Sequence, residues 1–449
     1  MGGRGQIAVW TLALSPGAAL ACALPAQIVT TLPTGYYMAG AAAVVAVTGV
    51  IGAVAHRLPP MRAHRVMERR VLLPVTWSSY LAFLLFLSLL AVGVLGPRDP
   101  MHNLLTLVFW TGVWVALPLA SILFGHLWRA VNPWTGPVRI LRALIGRTGR
   151  VGLARLGHWP AVAGMGGFTW FTLVSLSPED PLVLAAVAGA YWLVIFALAV
   201  AEGEEWLEQG EFLTVYFGYL ARIAPVWLVL DGGRARLMAG WPGTQVLGMA
   251  ALTPSAIAFV TLALAGLTFD GLHATFWWFW LMGENPLEFT GRSAVMGVNT
   301  AGLVATWALT AATILGALRL GGRAVPAGPV MLSFLAIAAG YHGAHYLVTL
   351  LTTGQYTLAA LNDPLFRGDA LLGLPPFYVS MGFLSDRESM VAVWNAQFAA
   401  ILAAHVLAVV LALHLAGPGV RARAHLPLTV LMVGYTVLGL WLLSSPVGT

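Results

Sequence analysis

The chain has 449 residues, 59% of them hydrophobic and only 9% charged, with a formal net charge of +6. Soluble domains carry about 25% charged residues, so the composition excludes a soluble enzyme or a soluble nucleic-acid-binding domain and points to a polytopic membrane protein. Every cation is an arginine, and the single cysteine, Cys22, excludes an intramolecular disulfide and a cysteine-ligated metal cluster.

In chain order, residues 1–24 read as a secretory signal peptide. Arg4 supplies the positive end, Ile7–Leu14 a short apolar core and Ala19–Ala21 the small residues before a cut. Ser15-Pro16-Gly17 interrupts that core, so an uncleaved first helix is the alternative. Residues 25–449 then read as one transmembrane domain. Ten apolar runs near bilayer-spanning length lie at 36–55, 78–95, 104–124, 160–176, 182–201, 246–268, 294–316, 329–351, 391–415 and 426–444. The expected fold is an all-α integral membrane protein of about ten helices.

The arginines orient this layout. Eighteen of them fall in alternate loops near 56–77, 125–158, 202–245, 317–328 and 416–425, and four (Arg98, Arg292, Arg367 and Arg387) fall in the opposite set. The rich set is therefore expected on the cytoplasmic side, with both the mature N-terminus and the C-terminus outside. The outer turns Gly96-Pro97-Arg98-Asp99-Pro100 and Ser177-Pro178-Glu179-Asp180-Pro181 are Pro/Asp helix breaks. The aromatic cluster at 276–280 suits a membrane interface, and 352–390 is the largest expected outer loop. No internal repeat points to an inverted-repeat transporter.

Polar groups inside apolar runs are costly and call for a partner or a function. The stretch Ala338–Leu350 carries Tyr341, His342, His345 and Tyr346, expected in the outer half of the eighth span. The ninth span adds Asn395, Gln397, His405 and His414. Asp270 and His273 end the sixth span on the same side and could supply two ligands, or a base and its orienting group. His342, His345, His405, Asp270 and His273 are candidate ligands of a divalent transition metal, Zn or Cu, if the spans pack together. The bland alternative is that each imidazole only bonds a carbonyl or a hydroxyl. The run Glu202–Glu211 reads mainly as a solvated face paired with arginine, for example Arg222, and Phe212–Leu230 as interfacial or re-entrant. Asn132-Pro133-Trp134 reads as a structural turn. No phosphate-binding glycine loop and no serine-hydrolase or metalloprotease motif is present, so no nucleotide is expected.

Several blocks occur together in order: LPTGYYMAGAAAVVAV, GPRDPMHNLL, LFGHLWRAVNPW, EGEEWLEQGEFLTVYFGYLARIAP, TFDGLHAT, AGYHGAHYLVTLL and VWNAQFAAILAAHVLAVVLALHLA. Together they resemble bacterial polytopic membrane proteins labelled fenitrothion hydrolase-like. The resemblance implies a bacterial inner-membrane protein that hydrolyses a lipophilic organophosphorus triester. A metal-bound water would then be the nucleophile, Asp270 a ligand or base, and Tyr341 or Tyr346 a donor to the developing charge. Two alternatives stay open. One is an electron-transfer or quinol-interacting subunit with b-type haem on His405 and His414; the other is a transporter of a metal ion or small organic solute. The lipid bilayer is the expected surrounding, and a membrane or periplasmic partner subunit is a candidate to complete the site.

Overall fold

The computed structural model describes residues 34–54, 58–70, 75–231, 233–288, 291–322, 325–373, 379–417 and 420–446. The expected signal peptide, with Arg4 and Cys22, lies outside the described residues, as do Arg57 and Arg323. The helices used below are α1 (Thr34–Val54), α2 (Val75–Leu95), α3 (Leu104–Phe124), α4 (Trp159–Leu173), α5 (Pro181–Glu202), α6 (Phe212–Leu220), α7 (Pro254–His273), α8 (Phe276–Met282), α9 (Arg292–Leu320), α10 (Phe334–Asn362), α11 (Arg387–Ala416) and α12 (Ala422–Ser444). Among the described residues, nine helices are long and apolar enough to cross a membrane. The fourth expected span is the 15-residue helix α4, about 22 Å long, and does not reach that length. The chain is thus a multi-pass membrane protein.

Helix starts follow local chemistry. Asp180 caps α5 through the amides of Leu182 and Val183, with Pro181 at the first helical position. Thr253 and Pro254 open α7 in the same way, and Asp386 caps α11. α7 is the most buried span and the α10 segment next, while α2 is the least buried, so α7 and α10 form the centre of the bundle. α10 crosses α11 closely because Gly340 lies against Ala400 and Ala404; a Cβ at 340 would stand 2.2 Å from that of Ala404.

α3 is not a uniform helix. Val108–Ala116 has π-helical winding, flanked by α-helical turns. Pro118 lies four residues after Trp114 and has no N–H to donate to the Trp114 carbonyl. That carbonyl is left for a partner outside the helix.

Three findings revise the sequence expectations. First, the fold is not purely helical: β1 (Ala63–Arg70), β2 (Val226–Asp231) and β3 (Arg234–Gly240) form an antiparallel sheet in the order β1-β3-β2. Second, the eighth span runs from Ala327 to Asn362, well past 351; the connection to α11 shortens accordingly, and His345 falls near the middle of the segment. Third, the segment after Glu211 is the short helix α6, buried in the bundle, followed by the β2–β3 hairpin.

Loops expected on one side do meet. β1 pairs with β3 across the 56–77 and 202–245 regions, Arg139 pairs with Glu204, and Arg150 with Glu205. On the opposite set, Arg98 pairs with Asp180, joining the two Pro/Asp turns.

Candidate functional site

His342 and His345 leave the same helix three residues apart but enter different surroundings. The Nε2 of His342 is 3.0 Å from the Trp114 carbonyl, the one freed by Pro118. A carbonyl only accepts, so Nε2 carries the proton, and Nδ1 accepts from the Tyr216 hydroxyl at 3.0 Å. Both nitrogens are spent in joining α10 to α3 and α6. The ring is fully buried, edge-on to Trp114.

His345 turns toward α7 instead. Its Nε2 is 3.0 Å from Oδ2 of Asp270, and the Tyr346 hydroxyl donates to the same oxygen at 2.6 Å. Two donors on one oxygen offset much of the cost of holding a carboxylate in the bundle. The Asp270 and His345 side chains keep 11% and 8% of their surface exposed, so the pair is not sealed. With Nε2–H given to Asp270, no hydrogen bond to the Nδ1 of His345 is found among the described residues. The Tyr341 ring stacks on His345 at 5.6 Å, and its buried hydroxyl is likewise unpartnered. That hydroxyl rests against Gly271, where a Cβ would stand 2.6 Å away. Glycine beside Asp270 therefore makes room for Tyr341.

The other expected members lie elsewhere. The Nδ1 of His273 faces the carbonyls of Phe269 and Asp270 on its own helix. His405 gives Nδ1–H to the Ile401 carbonyl, leaving its buried Nε2 unpartnered, and nothing links it to the Asp270 pair. Both nitrogens of His414 face backbone carbonyls, of Val410 and Pro59. Gln397 donates to the Ala344 carbonyl, whereas Asn395 is exposed. Of the expected ligand set of His342, His345, His405, Asp270 and His273, the described contacts join one pair side chain to side chain, Asp270 and His345. No group of three or more His, Cys, Asp or Glu able to hold a metal ion is found among the described residues.

The acidic run divides by position. Glu204, Glu205 and Glu208 pair with Arg139, Arg150 and Arg129, on the exposed side, rather than with Arg222. Glu202 accepts from the four amides of residues 151–154. Glu211 is fully buried and caps α6: it accepts from the Leu213 and Thr214 amides, the Thr214 hydroxyl and Tyr191. Asn132 closes its turn through the Trp134 amide and also reaches Thr214, as does Trp128.

One feature escaped sequence reasoning entirely. An apolar cavity of about 870 Å³ lies among α2, α3, α4, α5 and α6. Leu81 and Leu85 in its wall are 59% and 57% exposed on the outer face of the bundle. Phe168 also lines it, and the Trp114 ring touches both Phe168, at 4.4 Å, and Tyr346, at 6.3 Å. One indole therefore separates the cavity from the Asp270 cluster.

No protein-family model matches the chain, and no match is found to a curated protein or to a solved structure.

Proposed function

We propose that the chain is an inner-membrane hydrolase of lipophilic, organophosphorus-type esters, working by acid–base chemistry at Asp270, His345 and Tyr346. The observation that carries this reading is the arrangement of His345. Its Nε2 is fixed by a largely buried carboxylate and its Nδ1 has no hydrogen-bond partner among the described residues, which is how a general base is oriented and kept free. His345 Nδ1 takes a proton from water as the water oxygen attacks phosphorus. The phosphorus–oxygen bond to the leaving group then breaks, and the proton returns to the departing alkoxide or phenoxide. Tyr341, unpartnered beside His345, is placed to donate to the developing negative charge.

Among the described residues no group of three or more His, Cys, Asp or Glu could hold a metal ion, so water activation is assigned to the imidazole. The apolar cavity favours a substrate that arrives from the bilayer, and the arginine distribution favours a site facing the outer side. The test is hydrolysis of a chromogenic lipophilic phosphotriester by purified protein in nanodiscs, with ¹⁸O-water to follow incorporation into the diester. Wild type is expected to release the phenol and Asp270→Asn to lose that activity. Absence of hydrolysis, with proton-dependent solute flux in proteoliposomes instead, would replace the enzyme reading with transport.

A further inference from the structure

The small sheet is tied to the bundle at three places. β1 follows α1 after eight residues and precedes α2 by four. Four residues span at most about 18 Å, so the Arg70 end of β1 stays within that distance of the start of α2. At the third place, Gly125 at the end of α3 (φ 85) lies against Trp227 of β2, where a Cβ would stand 2.8 Å from that of Trp227.

The strand register sorts the side chains onto two faces. One face carries Arg65, Glu68, Arg70, Arg234, Arg236 and Asp231. Its acids are already engaged: Glu68 with Arg65 and Arg234, Asp231 with Arg236. The other face carries Met67, Leu228, Leu230 and Leu237, with Arg69 at its far end opposite Ala235. Met67, Leu228 and Leu230 are 44%, 54% and 45% exposed, and no described segment covers them. Trp241, just past β3, is 68% exposed. Arg69 and Arg70, at the far end of β1, take part in no ion pair among the described residues.

We infer that this sheet is an interfacial platform. Its apolar face rests at the headgroup–acyl boundary of the bilayer, and Arg69 and Arg70 hold the phosphates of anionic phospholipids. Three observations choose the bilayer as occupant. The short link to α2 and the Gly125–Trp227 contact keep the sheet near the span ends. The leucines and Met67 cluster on one face with Arg69 at its rim, and the ion-paired side chains lie on the other, as in an interfacial amphipathic element. The strands carry five arginines against two acids, and an exposed tryptophan adjoins them, the residue types enriched at a negatively charged membrane surface.

The chain has one cysteine, so Cys22→Ser gives a background for single labels. Nitroxides are placed at Leu228→Cys, on the apolar face, and at Val229→Cys, on the other, in nanodiscs of phosphatidylglycerol and phosphatidylcholine. The ratio of collisions with oxygen to collisions with a water-soluble nickel chelate is expected several-fold higher at 228 than at 229. Leu230→Cys repeats the reading from a second position on the apolar face. Equal ratios at 228 and 229 would overturn the inference. So would spin coupling between copies at 228, which would assign the face to a second copy of the chain. In native mass spectra, the R69Q/R70Q variant is expected to lose its preference for phosphatidylglycerol over phosphatidylcholine several-fold; an unchanged preference would overturn the headgroup assignment.

Discussion

Glu211 and Asp270 are both carboxylates enclosed by the helix bundle, yet they are held in different ways. Glu211 accepts from four donors spread over both oxygens, three of them from the helix it caps. Asp270 accepts from two, both on Oδ2, and one of these is an imidazole whose other nitrogen is free. A carboxylate with both oxygens answered, mainly by the helix terminus it caps, is a structural device. A carboxylate that spends its charge orienting a base is a chemical one. His342 and His345 repeat the contrast on a single helix, one closed at both nitrogens and the other open at Nδ1.

The sharpest way to break this comparison is to neutralise each carboxylate. Asp270→Asn should lower kcat for ester hydrolysis by about 10²–10⁴-fold, with KM little changed, measured in nanodiscs on the folded fraction. Glu211→Gln should do the reverse: a stability loss of about 1–3 kcal/mol from the broken cap, read by thermal unfolding, with turnover per folded molecule unchanged. If the two variants behave alike, the division between structural and chemical carboxylates fails. His342→Phe should also act on stability, by about 1–3 kcal/mol, because it leaves the Tyr216 hydroxyl and Trp114 carbonyl unpaired.

The cavity gives a milder test. Gly167 lines it, and a Cβ there would meet nothing within 4 Å. Gly167→Leu should fill the space, leave the fold intact and raise KM several-fold at constant kcat, which steady-state kinetics would resolve. The smallest expected effect is on pH dependence. Burial, with Arg129 and Arg222 nearby, holds His126 down to about 3 from an ordinary 6.5. The unfolded chain takes up that proton first, so this contribution to stability is complete above about 6.5 and is lost as pH falls toward 3. His126→Asn should flatten that part of the thermal-stability profile.

Much of the architecture was readable because hydropathy and arginine placement act over whole segments. The expected runs coincide with helices, and loops assigned to one side do touch, as in the β1–β3 pairing and the Arg98–Asp180 ion pair. The sheet was missed because β1 pairs with residues far along the chain, which local periodicity cannot register. Asp231-Gly232-Gly233-Arg234 was a usable hairpin signal within an apolar run.

At the site, the polar stretch 341–346 was legible but its geometry was not. Residues three apart differ by about 60° around a helix. In a packed bundle that rotation sends His342 to α3 and α6 and His345 to α7. Pro118, four residues after Trp114, was the local clue that a carbonyl there would seek a side-chain donor.

The central claim is that His345 is the working base and His342 is not. It is tested most directly by comparing kcat for His345→Gln and His342→Gln on the same chromogenic lipophilic phosphotriester, each corrected for its folded fraction. The expected result is a loss of about 100-fold or more for His345→Gln, with His342→Gln within a few-fold of wild type. Equal losses in the two variants, or wild-type turnover in His345→Gln, would contradict the account.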